Sequence, residues 1–199
     1  MIEVELKAVV DDLDALRRRI EGLGAALRIA GRLEDRRYDR GDHSLAAKDQ
    51  VFRLRAYRDA SGREQTASLD WKGPTSLDGG YKNREELSTT VASFDETARI
   101  LECVGFVVTM AIDREIWQYE LHGAVVRFER YPRMDDLVEV EGMPSAIERA
   151  IVSLGIPRNA FTAERLPSFV RRFEERTGER AALSDAELAG TVRYDLNDA

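Results

Sequence analysis

Glu3, Glu5 and Lys7 occupy every second position of the first segment, so an extended chain presents all three on one face and Ile2, Val4, Leu6 and Ala8 on the other. The pattern recurs along the chain. Arg53 and Arg55 alternate with Phe52, Leu54 and Ala56, and Asp70 and Lys72 with Leu69 and Trp71; Lys82, Arg84 and Glu86, then Arg114, Arg127 and Glu129, then Glu139 and Glu141 follow. The signs are segregated by strand, cationic at 53, 55, 72, 84 and 114 and anionic at 3, 5, 129, 139 and 141. Guanidinium groups grip phosphate oxygens bidentately and an ammonium acts as a point charge. Clustered carboxylates suit hard cations such as Mg²⁺ or Mn²⁺, which bridge to phosphate. Together these residues describe a metal-polyphosphate site. Alternating charge is also the signature of a solvated sheet face, but such a face has no reason to use Arg and Glu so regularly with so few Ser, Thr or Asn.

These side chains need strands to align them. Residues 2–10 read as a strand. Leu13, Leu16, Ile20 and Leu23 then predict a helix over 12–23, capped by Asp11 or Asp12 and stopped at Gly24. A strand pair over 33–58 turns at Asp39 to Ser44. A further strand, Ala67 to Lys72, ends at Gly73-Pro74, and 75–80 is a turn. Lys82, Arg84, Glu86 and Ser88 share the face of the next strand, and Ser93 to Glu96 form a capping box for a helix ending at Gly105. The plan then repeats without a gap, Glu5 aligning with Glu86, Ile20 with Leu101 and Gly24 with Gly105, as an internal duplication does. A third capping box, Ser145 to Glu148, predicts a helix to Gly155, and two more helices are expected at 163–176 and 184–190. The expected domain is 1–176, built from halves of about 1–80 and 81–156 plus a closing helix. The tail 177–199 either packs across one end or is partly disordered. The fold class that follows is α+β: a closed eight-stranded antiparallel β-barrel with helices outside and the charged face lining a hydrated tunnel.

A chain of 199 residues, 43% hydrophobic, can bury one sizeable core. Its formal net charge of −7 argues against non-specific binding to nucleic acid or an anionic membrane, but not against a small anion in a cleft. No apolar run reaches the roughly 18 residues of a membrane span, and the first strand leaves no room for a signal peptide, so a cytoplasmic location is expected. The single Cys103 can form no internal disulfide and is expected to be a buried small hydrophobe. His43 and His122 fall in predicted turns without partners at zinc-ligand spacing, and no P-loop, Gly-x-Gly-x-x-Gly or Gly-x-Ser-x-Gly is present.

Glu3-Val4-Glu5-Leu6-Lys7 resembles the Glu-x-Glu-x-Lys signature of the CYTH family, the triphosphate tunnel metalloenzymes that include class IV adenylyl cyclases and thiamine triphosphatases. Tyr38-Asp39 with Leu45, Phe52-Arg53-Leu54-Arg55, Lys72-Gly73-Pro74, the segment Tyr81 to Glu86, Arg114 with Trp117, Glu129, Glu139-Val140-Glu141 and Ser168-Phe169 continue the likeness in order, over 1–176. The resemblance implies that Glu3, Glu5, Glu129, Glu139 and Glu141 hold one or two Mg²⁺ or Mn²⁺ ions, and that Lys7, Arg53, Arg55, Lys72, Arg84 and Arg114 contact a small-molecule triphosphate, with Arg127 on the same wall. Glu5, Lys72 and Glu141 are the expected catalytic residues. Ile112, Ser88 and Glu129 depart from the family's usual basic residue, carboxylate and Asp. Metal-dependent triphosphate hydrolysis is the leading expectation; cyclisation of ATP to cyclic AMP and pyrophosphate, or binding without turnover, are the alternatives. Relatives include homodimers, and no self-complementary apolar patch is legible in the sequence.

Overall fold

A computed structural model describes residues 4–74, 76–78, 81–83 and 85–194. The elements are β1 (Val4–Val9), α1 (Leu13–Gly22), β2 (Ala26–Arg40), β3 (Val51–Arg58), β4 (Glu64–Lys72), β5 (Ser76–Asp78), β6 (Tyr81–Asn83), β7 (Glu86–Val91), α2 (Phe94–Cys103), β8 (Phe106–Leu121), β9 (Ala124–Arg130), β10 (Leu137–Gly142), α3 (Pro144–Leu154), α4 (Leu166–Thr177) and α5 (Asp185–Leu188). Strand, helix and three strands thus occur twice, as β1-α1-β2-β3-β4 and β7-α2-β8-β9-β10.

Eight strands form one antiparallel sheet in the order β1-β10-β9-β8-β2-β3-β4-β7, while β5 and β6 pair with each other. The long strands β2 and β8 run side by side at its middle. Each repeat's first strand crosses to the other's last, β1 to β10 and β7 to β4. Among the described residues no ladder joins β1 to β7, so the expected closed barrel is not closed by hydrogen bonds. The outer edge of β1 is occupied otherwise: the Lys7 amide donates to the Thr162 carbonyl at 2.8 Å and the Thr162 amide returns the bond at 2.9 Å. The sheet nevertheless curls, because side chains from all eight of its strands line one cavity.

Three apolar clusters hold the helices to this sheet. α1 and α3 pack Leu13, Ile20, Ile147, Ile151 and Leu154 onto Ala8, Val126, Phe128, Val138 and Val140. α2 packs Phe94 and Leu101 onto Tyr38, Leu54, Ala56 and Ala67. α4 packs Phe169, Val170 and Phe173 against Met110, Ile112, Tyr131 and Leu137. Asp12 and Ser93 cap their helices as expected, accepting from the amides of Ala15 and Glu96, and Ser184 caps α5 by accepting from the Glu187 amide.

Three local expectations change. α3 begins at Pro144 and has no side-chain cap, so the Ser145 box is not used; proline at the first turn supplies helical φ two residues earlier. Cys103 is exposed, because Phe94, Ala98 and Leu101 define the apolar face of α2 and two further residues turn it about 200° away. The strand expected to run through 82–88 divides, since Tyr81–Asn83 pairs with Ser76–Asp78 and only Glu86 onward joins β4. Gly73-Pro74, where proline offers no amide to a ladder, ends β4 just before that excursion. The tail packs at 181–184, one of the two alternatives expected for it: the Asp113 amide on β8 donates to the Leu183 carbonyl at 2.7 Å, and Ala182 exchanges two bonds with Arg133. No helix among the described residues is long and apolar enough to cross a membrane.

β2 starts well before position 33 and passes Gly31, whose φ of +152° brings it so close to β3 that an added Cβ would lie 2.1 Å from the Arg58 carbonyl oxygen. Gly31→Ala is therefore expected to destabilise by about 1–3 kcal/mol, read as a lower urea midpoint with an unchanged slope.

Candidate functional site

Because strand side chains alternate, the sheet's concave face collects the charged positions that the sequence spaced by two. They enclose a cavity of about 410 Å³, within the range of small-molecule sites. Among the described residues, eight basic and six acidic side chains line it, an excess of positive charge inside a chain whose formal net charge is −7. β1 supplies Glu5 and Lys7; β2, Asp35 and Arg37; β3, Arg53 and Arg55; β4, Lys72; β7, Glu86; β8, Arg114; β9, Arg127 and Glu129; β10, Glu139 and Glu141. Arg165, Leu166 and Pro167, at the start of α4, cover one side. Glu3 and Arg84 lie outside the described residues.

Asp35 is the hub of the cationic wall. It is buried and accepts two bonds from Arg55, 2.6 Å from Nε and 2.9 Å from Nη2, and one from Arg114 Nη1 at 3.1 Å. Burial would raise its pKa, but Arg55, Arg114 and Arg53 outweigh this and hold the carboxyl well below its usual range. Arg114 also donates to Glu129 Oε1 at 2.9 Å, and the Tyr131 hydroxyl donates to the other Glu129 oxygen. Arg53 pairs with Asp70 at 2.9 Å, and Asp70 accepts from Ser88 Oγ at 2.6 Å.

Across the cavity, Glu139 is held by Arg127 Nη1 at 2.9 Å and Lys7 Nζ at 3.0 Å, and Lys7 also contacts Glu5. Burial works against the Lys7 charge, yet Glu139 and Glu5 prevail and raise its pKa. Arg37 is the opposite case. Burial, reinforced by Arg53, Arg114 and Arg165 and only partly opposed by Asp35, pushes its pKa down to about 10. It remains charged at neutral pH in cationic surroundings.

The two seams where the repeats cross differ in charge. At the β4–β7 seam, Lys72 stands opposite Glu86 and binds it at 2.7 Å. At the equivalent place on the β1–β10 seam, Glu5 stands opposite Glu141. Glu5 also contacts Lys7, and both seam carboxylates present hard oxygens, the donor type that Mg²⁺ and Mn²⁺ prefer. Among the described residues no group of three or more His, Cys, Asp or Glu side chains forms a metal cage. Glu129 and Glu139, expected as ligands, each have both oxygens engaged by Arg, Lys or Tyr.

Two other sequence features become intelligible. The Asp39 carboxylate accepts from the amides of Arg40, Leu45 and Ala46, so the Tyr38-Asp39 motif shapes the turn into β3. Ile112, which replaces a usual basic residue, belongs to the apolar cluster under α4. Asp35, Arg37 and Arg165 were not singled out by the sequence; the signal available was that Asp35 and Arg37 alternate within β2.

The CYTH domain profile matches residues 1–146, and the chain belongs to the CYTH family. Among solved structures, a Pyrococcus horikoshii protein is 19% identical with a TM-score of 0.65, covering 84% of this chain and 98% of its own. A Vibrio parahaemolyticus protein provisionally assigned as an adenylate cyclase is 15% identical with a TM-score of 0.67, covering 86% and 98%. A Hippeastrum protein provisionally assigned as an adenylyl cyclase, and described as having a dominant triphosphatase activity, is 15% identical with a TM-score of 0.56, covering 92% and 98%. Sequence comparison with curated proteins finds no match.

Proposed function

We propose that the protein hydrolyses a triphosphate-bearing small molecule in this cavity with Mg²⁺ or Mn²⁺. The observation that carries the reading is the charge asymmetry between the seams: the repeat places an ion pair, Lys72 with Glu86, at one and two carboxylates, Glu5 with Glu141, at the other. Glu5 and Glu141 would hold the ion, whose chemistry is to neutralise phosphate oxygens and polarise the phosphorus. Phosphoryl transfer demands mainly positioning and charge stabilisation. Arg53, Arg55 and Arg114 orient the phosphate chain, Lys72 or Arg55 stabilises the departing phosphate, and a carboxylate at the acidic seam accepts the hydrogen bond that orients the attacking water. The triphosphatase activity described for the Hippeastrum protein supports the same direction.

The test is product identity. Purified protein is incubated with tripolyphosphate, ATP or thiamine triphosphate and Mg²⁺ or Mn²⁺, and orthophosphate is expected, with none after chelation. Cyclic AMP and pyrophosphate from ATP would instead make the protein a cyclase. Binding with neither product would make it a sensor.

A further inference from the structure

The cavity's cations fall into two groups. Lys7, Arg53, Arg55, Lys72, Arg114 and Arg127 each lie within 3.0 Å of a carboxylate oxygen. Arg37 does not. It lines the same cavity, stands opposite Arg53 across the β2–β3 ladder, and among the described residues its guanidinium has no hydrogen-bond or ion-pair partner. No side-chain nitrogen or oxygen among those residues is both sealed from solvent and unpartnered, so its nitrogens open on the cavity. Arg165, just before α4, lines that side as well.

Holding Arg37 beside Arg53 and Arg165 with no ion-pair partner of its own among the described residues costs stability in the empty protein. An incoming anion offsets that cost, the usual trade between stability and function at a binding site. We propose that Arg37, with Arg53 and Arg165, binds the unesterified terminal phosphoryl group of the substrate at the α4 side of the cavity. The inference rests on the triphosphate reading above and adds the direction in which the substrate lies. A terminal phosphoryl group approaches two negative charges at neutral pH and presents three acceptor oxygens, whereas an internal one carries a single charge, so a cluster of three guanidiniums selects the free end.

The other end has a place to go. A neighbouring pocket of about 300 Å³ shares Arg53, Arg55, Lys72 and Glu86 with the cavity, omits Arg37 and Arg165, and adds Tyr57 and Trp71. An organic group attached to the triphosphate would face that aromatic pair.

Equilibrium binding of two probes, measured with Mg²⁺ and no turnover, tests the assignment. One is the non-hydrolysable imido analogue of tripolyphosphate, which has free ends; the other is diadenosine triphosphate, esterified at both. Arg37→Met is expected to weaken the first by about 10- to 100-fold and the second by less than about twofold. Arg37→Lys, which keeps charge but loses the bidentate fork, should fall between wild type and Arg37→Met. The ligand-free melting temperature of Arg37→Met should equal or exceed that of wild type by a few degrees; a lower one would make Arg37 a structural residue. Should Arg37→Met fail to fold, that outcome overturns the inference too. Wild type that binds the imido analogue while Arg37→Met binds it equally well overturns the inference alone. Equal weakening of both probes overturns the free-end assignment, and wild type that binds neither overturns the triphosphate reading with it.

Discussion

Asp35→Ala is expected to lower the stability of the folded protein by about 3–5 kcal/mol. Asp35 is buried, and its two oxygens take three hydrogen bonds from Arg55 and Arg114, with Arg53 Nε a further 3.9 Å contact. Removing the carboxylate strands guanidiniums that have lost most of their water, and such a broken pair costs far more than an intact one contributes. The effect has a pH signature. Arg55, Arg114 and Arg53 hold the Asp35 carboxyl well below its ordinary value of 3.8 against the opposing influence of burial. A carboxylate depressed in the folded state stabilises fully above its unfolded pKa and loses that contribution as pH falls towards the folded one. Urea midpoints of wild type should therefore decline below about pH 4, and those of Asp35→Asn, already low, should decline less. Superimposable acid limbs for the two proteins would remove Asp35 from its place as the hub.

How much of this was open to a reader of the sequence depends on whether the chain keeps strict register. Where it does, alternation suffices. Lys7 and Glu139, Arg53 and Asp70, and Lys72 and Glu86 are opposite pairs on regular ladders, and each makes its ion pair. β2 is different. Its charged run Glu34-Asp35-Arg36-Arg37 reads as a solvated face, and the register against β8 shifts between Arg37 and Tyr38, so Tyr38 and Asp39 are both buried in succession. The bulge breaks the period only beyond Arg37; Asp35 and Arg37 themselves alternate, but four charged residues in a row give no apolar positions to mark which face is which. Cooperation between remote segments was also hidden. Nothing local says that Thr162 will take the outer edge of β1, or that 181–184 will settle on β8. The carboxylate wall was legible as composition but not as pairing: Glu129 and Glu139 have both oxygens held by Arg, Lys or Tyr, whereas Glu5, with the same spacing and charge, contacts Lys7 and stays half exposed.

That division separates stability from chemistry, and Glu5→Gln exposes it. Its side chain is about half exposed, at 53%, and contacts Lys7, which retains Glu139 at 3.0 Å when Glu5 is neutralised. The substitution should therefore change stability by less than about 1 kcal/mol. Tripolyphosphate turnover is nonetheless expected to fall by about 10²–10³-fold, the scale on which a preorganised partner of the transition state is lost. The amide keeps the shape and one acceptor oxygen but removes one of the two carboxylate charges that Glu5 and Glu141 place at the β1–β10 seam. Half-maximal activity should accordingly require more Mg²⁺ or Mn²⁺, and saturating metal should restore part of the loss. Lys72→Ala provides the contrast. It breaks the Lys72–Glu86 pair at the opposite seam, so activity should fall with little change in metal requirement. Equal metal titrations for Glu5→Gln and wild type would move the ion away from the acidic seam, and undiminished turnover in both variants would remove the reaction from this cavity.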